Sequence, residues 1–166
     1  MARSRAACFA ATSAHPWPRR LEVFHPGLAA SVAFLCGPNH RIPLAACRQH
    51  LTQDGRFGYL GGSLLWETEL AARATSLAQR ALAVLPPAVG YVGVDLVLGN
   101  ASDGSEDVII EVNPRLTTSY VGLRAMTDDN LALAMLEIAA GREFLPRFRR
   151  DPLEFSAKGA VRRPFG

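Results

Sequence analysis

Hydrophobic and polar positions along this chain change period several times, and each change marks an element. From Leu21, the run LEVFHPG followed by LAASVAFLCGPN predicts a strand, a turn at Pro26 and Gly27, and a second strand closed by a turn at Gly37 and Pro38. Arg41 to Leu51 continues the sheet with Ile42, Leu44 and Ala46 inward. Thr52 to Ser63 is rich in turn residues, and between Trp66 and Leu85 the period becomes helical. Leu70, Ala74, Leu77, Ala81 and Leu85 then recur every three to four residues, Arg73 and Arg80 fall off that stripe, and Pro86 and Pro87 end it.

Two further β-branched runs follow, GYVGVDLVLG and VIIEVN, joined by the polar loop NASDGSED. This is the pattern of an antiparallel hairpin with a longer-than-minimal turn. Alternation puts Tyr91, Gly93, Asp95 and Val97 on one face and Val92, Val94, Leu96 and Leu98 on the other. In the second strand Ile109, Glu111 and Asn113 share a face, and Val108, Ile110 and Val112 take the opposite one. The helix is expected to cover the aliphatic face, which gives an α+β arrangement of antiparallel sheet and helix in two layers. Beyond the hairpin, Ser119 opens a helix through YVGLRAM. Asp128 or Asp129 caps another, broadly apolar helix from Leu131 to Ala139 that ends at Gly141 and is expected to be well buried.

A hairpin folded about Asp103 sets Asp95 directly across from Glu111. Facing carboxylates repel and destabilise a strand pair, so a shared proton or a bound divalent cation must neutralise them. Asn113, two residues along on the same face, adds a neutral carbonyl oxygen and tips the reading toward a metal. Two carboxylates and an amide form an all-oxygen set suited to Mg²⁺, with Mn²⁺ in its place, its shell completed by water and phosphates. The plainer alternative puts Asp95 at a solvent edge and pairs Glu111 with an arginine. Arg115 follows at once, and its guanidinium is suited to paired hydrogen bonds with a carboxylate or phosphate. Thr117, Thr118 and Ser119 offer hydroxyls and, at the opening of a helix, backbone N–H groups for an anion, or else ordinary capping.

A strand ending in Glu111-x-Asn113-Pro114-Arg115, opposite a strand bearing the single acid Asp95, resembles the C-terminal motif of the ATP-grasp superfamily. The fuller run EVNPRLTTSYVGLR, preceded by GYVGVDLVL, is similar to the branch that contains tyramine–glutamate ligase and ligases of the pyrrolysine-synthesis type. The resemblance implies the C-terminal lobe of an ATP-grasp fold, with ATP used to join a small-molecule carboxylate to an amine through an acyl phosphate. It implies Asp95, Glu111 and Asn113 as ligands of the Mg²⁺ on the ATP phosphates, with Arg115 as the catalytic residue stabilising the acyl phosphate. Thr117, Thr118 and Ser119 would serve nucleotide binding. Glu22 and Gly27 match the spacing of the family's adenine hinge, so the backbone of Val23 and Phe24 would meet the adenine edge; Ala29 stands where a ribose-binding acid is often found. Gly61 and Gly62 form no phosphate loop and are expected in a flexible loop on the substrate side.

Family members also carry lysines that clamp the ATP phosphates. This chain has a single lysine, Lys158, placed after the motif. The expectation is therefore a partial ATP-grasp domain over 21–152, with weak Mg-ATP binding and little turnover unless a separate polypeptide supplies the other lobe. The alternative is a non-catalytic ATP-grasp-like module that binds nucleotide or metal. A third reading, an interaction or nucleic-acid protein, rests on the arginine-rich ends. The first twenty residues hold four arginines and no acid, whereas the stretch from 21 to 141 holds seven arginines against twelve acids. Basic charge confined to the ends, without interleaved aromatics, argues against nucleic acid. No apolar run reaches the roughly 18 to 20 residues of a membrane helix. Three cysteines without C-x-x-C spacing suggest reduced, cytoplasmic thiols, and the four histidines lack ligand spacing. Residues 1–20 have no periodicity and are expected to be disordered, and 153–166 to form short strands or a solvated tail.

Overall fold

The computed structural model describes residues 22–149 and 151–163, so the segment expected to be disordered lies outside it. The first strand, β1 (Leu28–Cys36), runs through the middle of the sheet. It is followed by β2 (Arg41–Pro43), β3 (Cys47–Leu51) and β4 (Tyr59–Leu64). Helix α1 (Thr68–Ala83) leads to β5 (Gly90–Leu98) and β6 (Val108–Asn113). Helices α2 (Ser119–Ala125) and α3 (Leu131–Ala139) precede β7 (Glu154–Ser156) and β8 (Val161–Arg162). The strands form one antiparallel sheet in the order β6-β5-β1-β3-β4-β7-β8, with β2 paired to β1.

The expected α+β architecture is present, but in three layers. Ala30, Val32, Phe34, Val92, Val94, Leu96 and Leu98 bury one sheet face under Ala74, Ala78 and Leu82 of α1. That is the aliphatic face of the alternation, and α1 covers it as expected, but its buried line is Ala74, Ala78 and Leu82 with Leu70 and Leu77 at the flank, while Leu85 of the expected stripe lies beyond the helix and is exposed. The opposite face is polar only around Asp95. At its other end Ala33, Leu35 and Tyr91 present enough apolar surface to bury Leu123 of α2 and Leu131, Ala134 and Ile138 of α3. A second helical layer therefore covers that end and leaves the Asp95 end open.

Other local expectations change. No strand forms over 22–26, where Val23 and Phe24 are 79% and 67% exposed. Gly27 is nonetheless sterically fixed: it has φ +155°, and a Cβ there would lie 2.2 Å from the carbonyl oxygen of Leu98. Gly61 and Gly62 sit inside β4, packed so closely between β3 and β7 that a Cβ at Gly61 would meet the Phe155 carbonyl oxygen at 2.0 Å. They serve strand packing, not a mobile loop. The cap of α3 is Asn130, whose side chain accepts from the N–H groups of Ala132 and Leu133. Asp129 accepts instead from the Arg147 N–H, and Asp128 pairs with Arg149. Leu133 and Leu136 of α3 are exposed, so that helix is buried on one side only. The short strands near the C-terminus do form, and Leu153 and Phe155 are buried in the core rather than solvated.

Candidate functional site

The open end of the sheet is where the hairpin puts its acids. Asp95 of β5 pairs with Glu111 of β6 on one side and with Ser31 of β1 on the other, so the facing carboxylates of the sequence reading are present. One residue further the ladder slips: Leu96 pairs with Ile109, and Ile110 is the extra residue of a bulge. Ile109 therefore joins Val112 against the α1 face while Ile110 is 46% exposed, the reverse of the simple alternation. Because the bulge lies before Glu111, on the loop side of the hairpin, the register from Glu111 to Asn113 is untouched.

Asp95 is held from two directions. Its Oδ1 accepts from Gln49 Nε2 at 2.8 Å, and its Oδ2 accepts from Asn113 Nδ2 at 3.1 Å. Burial and the facing Glu111 raise its carboxyl above the ordinary carboxylate range, opposed by the Gln49 hydrogen bond, the nearby Arg115 charge and the Asn113 hydrogen bond. The electrostatics are those of a position short of positive charge. Glu111 is exposed and, among the described residues, forms no ion pair, so the alternative in which an arginine neutralises it is not realised. Arg115 is exposed beside the acids and donates through Nη1 to the Leu116 carbonyl at 3.3 Å.

Asp95, Glu111, Asn113, Arg115, Thr117, Thr118 and Ser119 all line one cleft of about 270 Å³. Glu22, Val23 and Phe24 do not; Phe24 stacks on Phe57 with ring centroids 5.6 Å apart. Lys158 is exposed in the turn between β7 and β8 and also lies outside the cleft. Within the cleft, Thr117 Oγ1 and Ser119 Oγ are 2.8 Å apart, and each is 3.2 Å from the Tyr91 hydroxyl. This ring of hydroxyls anchors the segment that follows Arg115, and it occupies two of the three hydroxyls expected to face a ligand. The third, on Thr118, makes no hydrogen bond among the described residues.

Four residues outside the sequence motif complete the walls: Ser31, Gln49, Leu51 and Tyr59. For Ser31 there was a signal, since it is the lone hydroxyl in the apolar run LAASVAFLC. Gln49 was not legible: the alternation that put Ile42, Leu44 and Ala46 inward left it on the other face, and nothing in the sequence reports that β3 lies two strands from β5. No cluster of three or more His, Cys, Asp and Glu side chains able to hold a metal exists among the described residues. A metal here depends on the amide of Asn113 as third donor. All three side chains carry oxygen, two are anionic, and they share one cleft, so the donor set fits a hard divalent cation. Another cavity, of about 530 Å³, lies between α1 and the β4 end near Trp66 and Phe148 and has no carboxylate in its lining.

Comparison with known proteins gives the family and the fold. A model of the ATP-grasp domain family matches residues 20–119. Tyramine–L-glutamate ligases of Methanocaldococcus fervens and Methanocaldococcus jannaschii are 29% and 31% identical over 136 and 139 residues, covering 82% and 84% of this chain. The chain spans only 42% and 39% of the length of those two relatives. Among solved structures, N5-carboxyaminoimidazole synthase of Aspergillus clavatus, in complex with ADP and 5-aminoimidazole ribonucleotide, superposes with a TM-score of 0.63 at 14% identity. That match covers 78% of this chain and 34% of the other. The L-amino acid ligase of Bacillus licheniformis gives a TM-score of 0.55 at 18% identity, covering 79% and 35% respectively. At such identities the structural likeness speaks for the fold alone.

Proposed function

The chain belongs to the ATP-grasp family, and on that premise we propose that it is the ATP- and Mg²⁺-binding part of a ligase that joins a carboxylate to an amine through an acyl phosphate. The supporting observation is that Asp95, Glu111, Asn113 and Arg115, named from the sequence motif, line a single cleft at the open end of the sheet. Asp95, Glu111 and Asn113 would hold Mg²⁺, or Mn²⁺, through carboxylate and amide oxygens. When bound, that ion supplies charge neutralisation and alignment of the ATP phosphates for transfer. Arg115 lies at the rim, where a fixed guanidinium can bind the acceptor carboxylate and the charge that grows on it. Thr118 presents a hydroxyl to the same space, while Thr117 and Ser119 hold the loop through Tyr91. The relatives' name, tyramine–L-glutamate ligase, supports an amino-acid carboxylate and a primary amine as the substrate class.

Among the described residues, Arg115 is the only cationic side chain lining the cleft. A triphosphate carries more negative charge than one arginine and one divalent ion offset. We therefore propose that a lysine-bearing lobe, carried by a separate polypeptide or another part of the enzyme, completes the site. Each missing charge-assisted hydrogen bond is worth about 1.5–3 kcal/mol, so the chain by itself should bind Mg-ATP weakly and turn it over slowly.

Calorimetric titration with Mg-ATP tests this. The natural chain should show Mg²⁺-dependent binding, and Glu111→Gln should weaken it at least about tenfold, in line with the roughly 10–100-fold effects seen around metal sites. A folded natural chain with no Mg²⁺-dependent heat would overturn the reading. Hydrolysis of ATP at roughly 1–10³ s⁻¹, an ordinary enzyme rate, would overturn the need for another lobe.

A further inference from the structure

We propose that Gln49 is a positioning residue that fixes how Asp95 presents its carboxylate to the cation, and that it can do so only because Ser31 lies between them. The proposal rests on the reading of Asp95 as a metal ligand and concerns how this chain builds that ligand. Gln49 is on β3 and Asp95 on β5, with β1 between the two strands. Two strand spacings amount to about 9.5 Å, and a short amide cannot bridge that gap to an aspartate. Gln49 does so, with Nε2 at 2.8 Å from Asp95 Oδ1.

The path has to be clear. Ser31 of β1 pairs with Asp95 on one side and Cys47 on the other, and Cys47, Gln49, Ser31 and Asp95 share a sheet face. Strands β1 and β3 pair at Ala30 with Arg48 and at Ser31 with Cys47 and no further, so at Gln49 the two strands have already parted and the cleft begins. A large side chain at Ser31 would stand where the amide crosses. The small hydroxyl, itself lining the cleft, leaves room.

Fixing one oxygen decides the role of the other. With Oδ1 accepting from Gln49 Nε2 and Oδ2 from Asn113 Nδ2, the carboxylate plane is set, and Gln49 leaves the remaining lone pair of Oδ2 for a cation on the Asn113 side of the cleft. An aspartate free to rotate would lose part of its affinity for a cation to the entropy of being ordered. Gln49 is neutral, so it orients the anion without offsetting the charge that attracts the metal. A lysine or arginine would orient it equally well and compete with the cation.

Binding of Mn-ATP by the full chain, read from broadening of the Mn²⁺ electron paramagnetic resonance spectrum, is compared with binding of ATP in chelator. Three variants are measured beside the natural chain. Gln49→Met keeps the length and removes the donor; Gln49→Asn keeps the amide and shortens the reach by about 1.5 Å; Ser31→Leu leaves Gln49 intact and blocks its path. The two Gln49 variants are expected to weaken Mn-ATP binding roughly 10–100-fold while ATP binding in chelator and the melting temperature stay as in the natural chain; Ser31→Leu, which adds bulk at a buried wall of the cleft, is expected to weaken Mn-ATP binding by more than it weakens ATP binding in chelator. A structural role alone would lower both affinities together with the melting temperature, and that result overturns the proposal. So does undiminished Mn-ATP binding in Gln49→Met and Gln49→Asn, while leaving the metal site standing. A natural chain that gains nothing from Mn²⁺ overturns the metal site and this proposal together.

Discussion

At the scale of single residues, the geometry around Thr117 leaves least room for change. Gly93 lies on β5 two residues from Asp95, and a Cβ there would sit 2.6 Å from Thr117 Cγ2. Thr117 cannot simply turn aside, because its hydroxyl is tied to Tyr91 and Ser119. Gly93→Ala should therefore cost about 1–3 kcal/mol, the usual range for overpacking, seen as a lower urea midpoint. Removing the offending methyl while keeping the hydroxyl should undo it, so the double variant Gly93→Ala, Thr117→Ser is expected to recover most of the loss. A double variant no more stable than Gly93→Ala would show that the clash is not the cause. The requirement for glycine at 93 was invisible in the sequence, where Gly93 only held a place in an alternation. The atom that excludes a side chain belongs to a residue twenty-four positions later.

At the scale of elements, the hairpin shows what periodicity reveals and what it hides. The register at Asp95 and Glu111 was legible because two runs and a loop fix the pairing, and the structure has that pairing. The bulge was not, because Ile109 and Ile110 are the same residue and either can face the core with equal chemistry. Burial decides it. Ile109→Ala should cost about 1–2 kcal/mol, as for a half-buried isoleucine packed against the core, whereas Ile110→Ala should stay within about 0.5 kcal/mol. Chemical denaturation of the two variants reads this directly, and the opposite ranking would mean that the strand pairs without a bulge. The loop of the same hairpin is tied to α1 by Arg73, which donates to both oxygens of Asp107 and to the Gly99 carbonyl. Asp107 Oδ1 also accepts from the Gly99 N–H. Asp107→Ala is expected to lower the melting temperature and to speed amide exchange from Gly99 to Asp107, while leaving exchange in β1 and β3 unchanged. A uniform change across the sheet would show that the clamp does not act locally.

At the scale of the whole molecule, the sequence conveyed which residues share a face but not which strands are neighbours. Tyr91, Gly93 and Asp95 were read as one polar face, which predicted two layers. The pairing of β1 beside β5 adds Ala33 and Leu35 to the Tyr91 end, and that added apolar area draws α2 and α3 onto it. The same layer buries groups that titrate at high pH. Burial pushes the Cys47 thiol up to about 12, and it does the same to the Tyr91 phenol, where hydrogen bonds from Ser119 and Thr117 oppose it. The Tyr59 phenol is likewise raised to about 12, by burial first and then by the charges of Cys47, Asp95 and Tyr91. In the unfolded chain these groups ionise at ordinary values, near 8.5 for the thiol and about 10 for the phenols. Between the ordinary and raised values, the folded chain keeps protons that the unfolded chain has released, so raising the pH favours unfolding. The stabilisation is fully present below about pH 8.5 and is lost progressively as pH climbs toward about 12. Urea midpoints should accordingly hold steady near neutrality and fall across that interval. Phenolate absorbance of Tyr59 and Tyr91 should rise only as the far-ultraviolet circular dichroism of the sheet is lost. Ionisation of both phenols near pH 10 with the sheet intact would mean that the second helical layer does not seal the Tyr91 end of the face, and that the Asp95 cleft is only the deepest part of a wider opening.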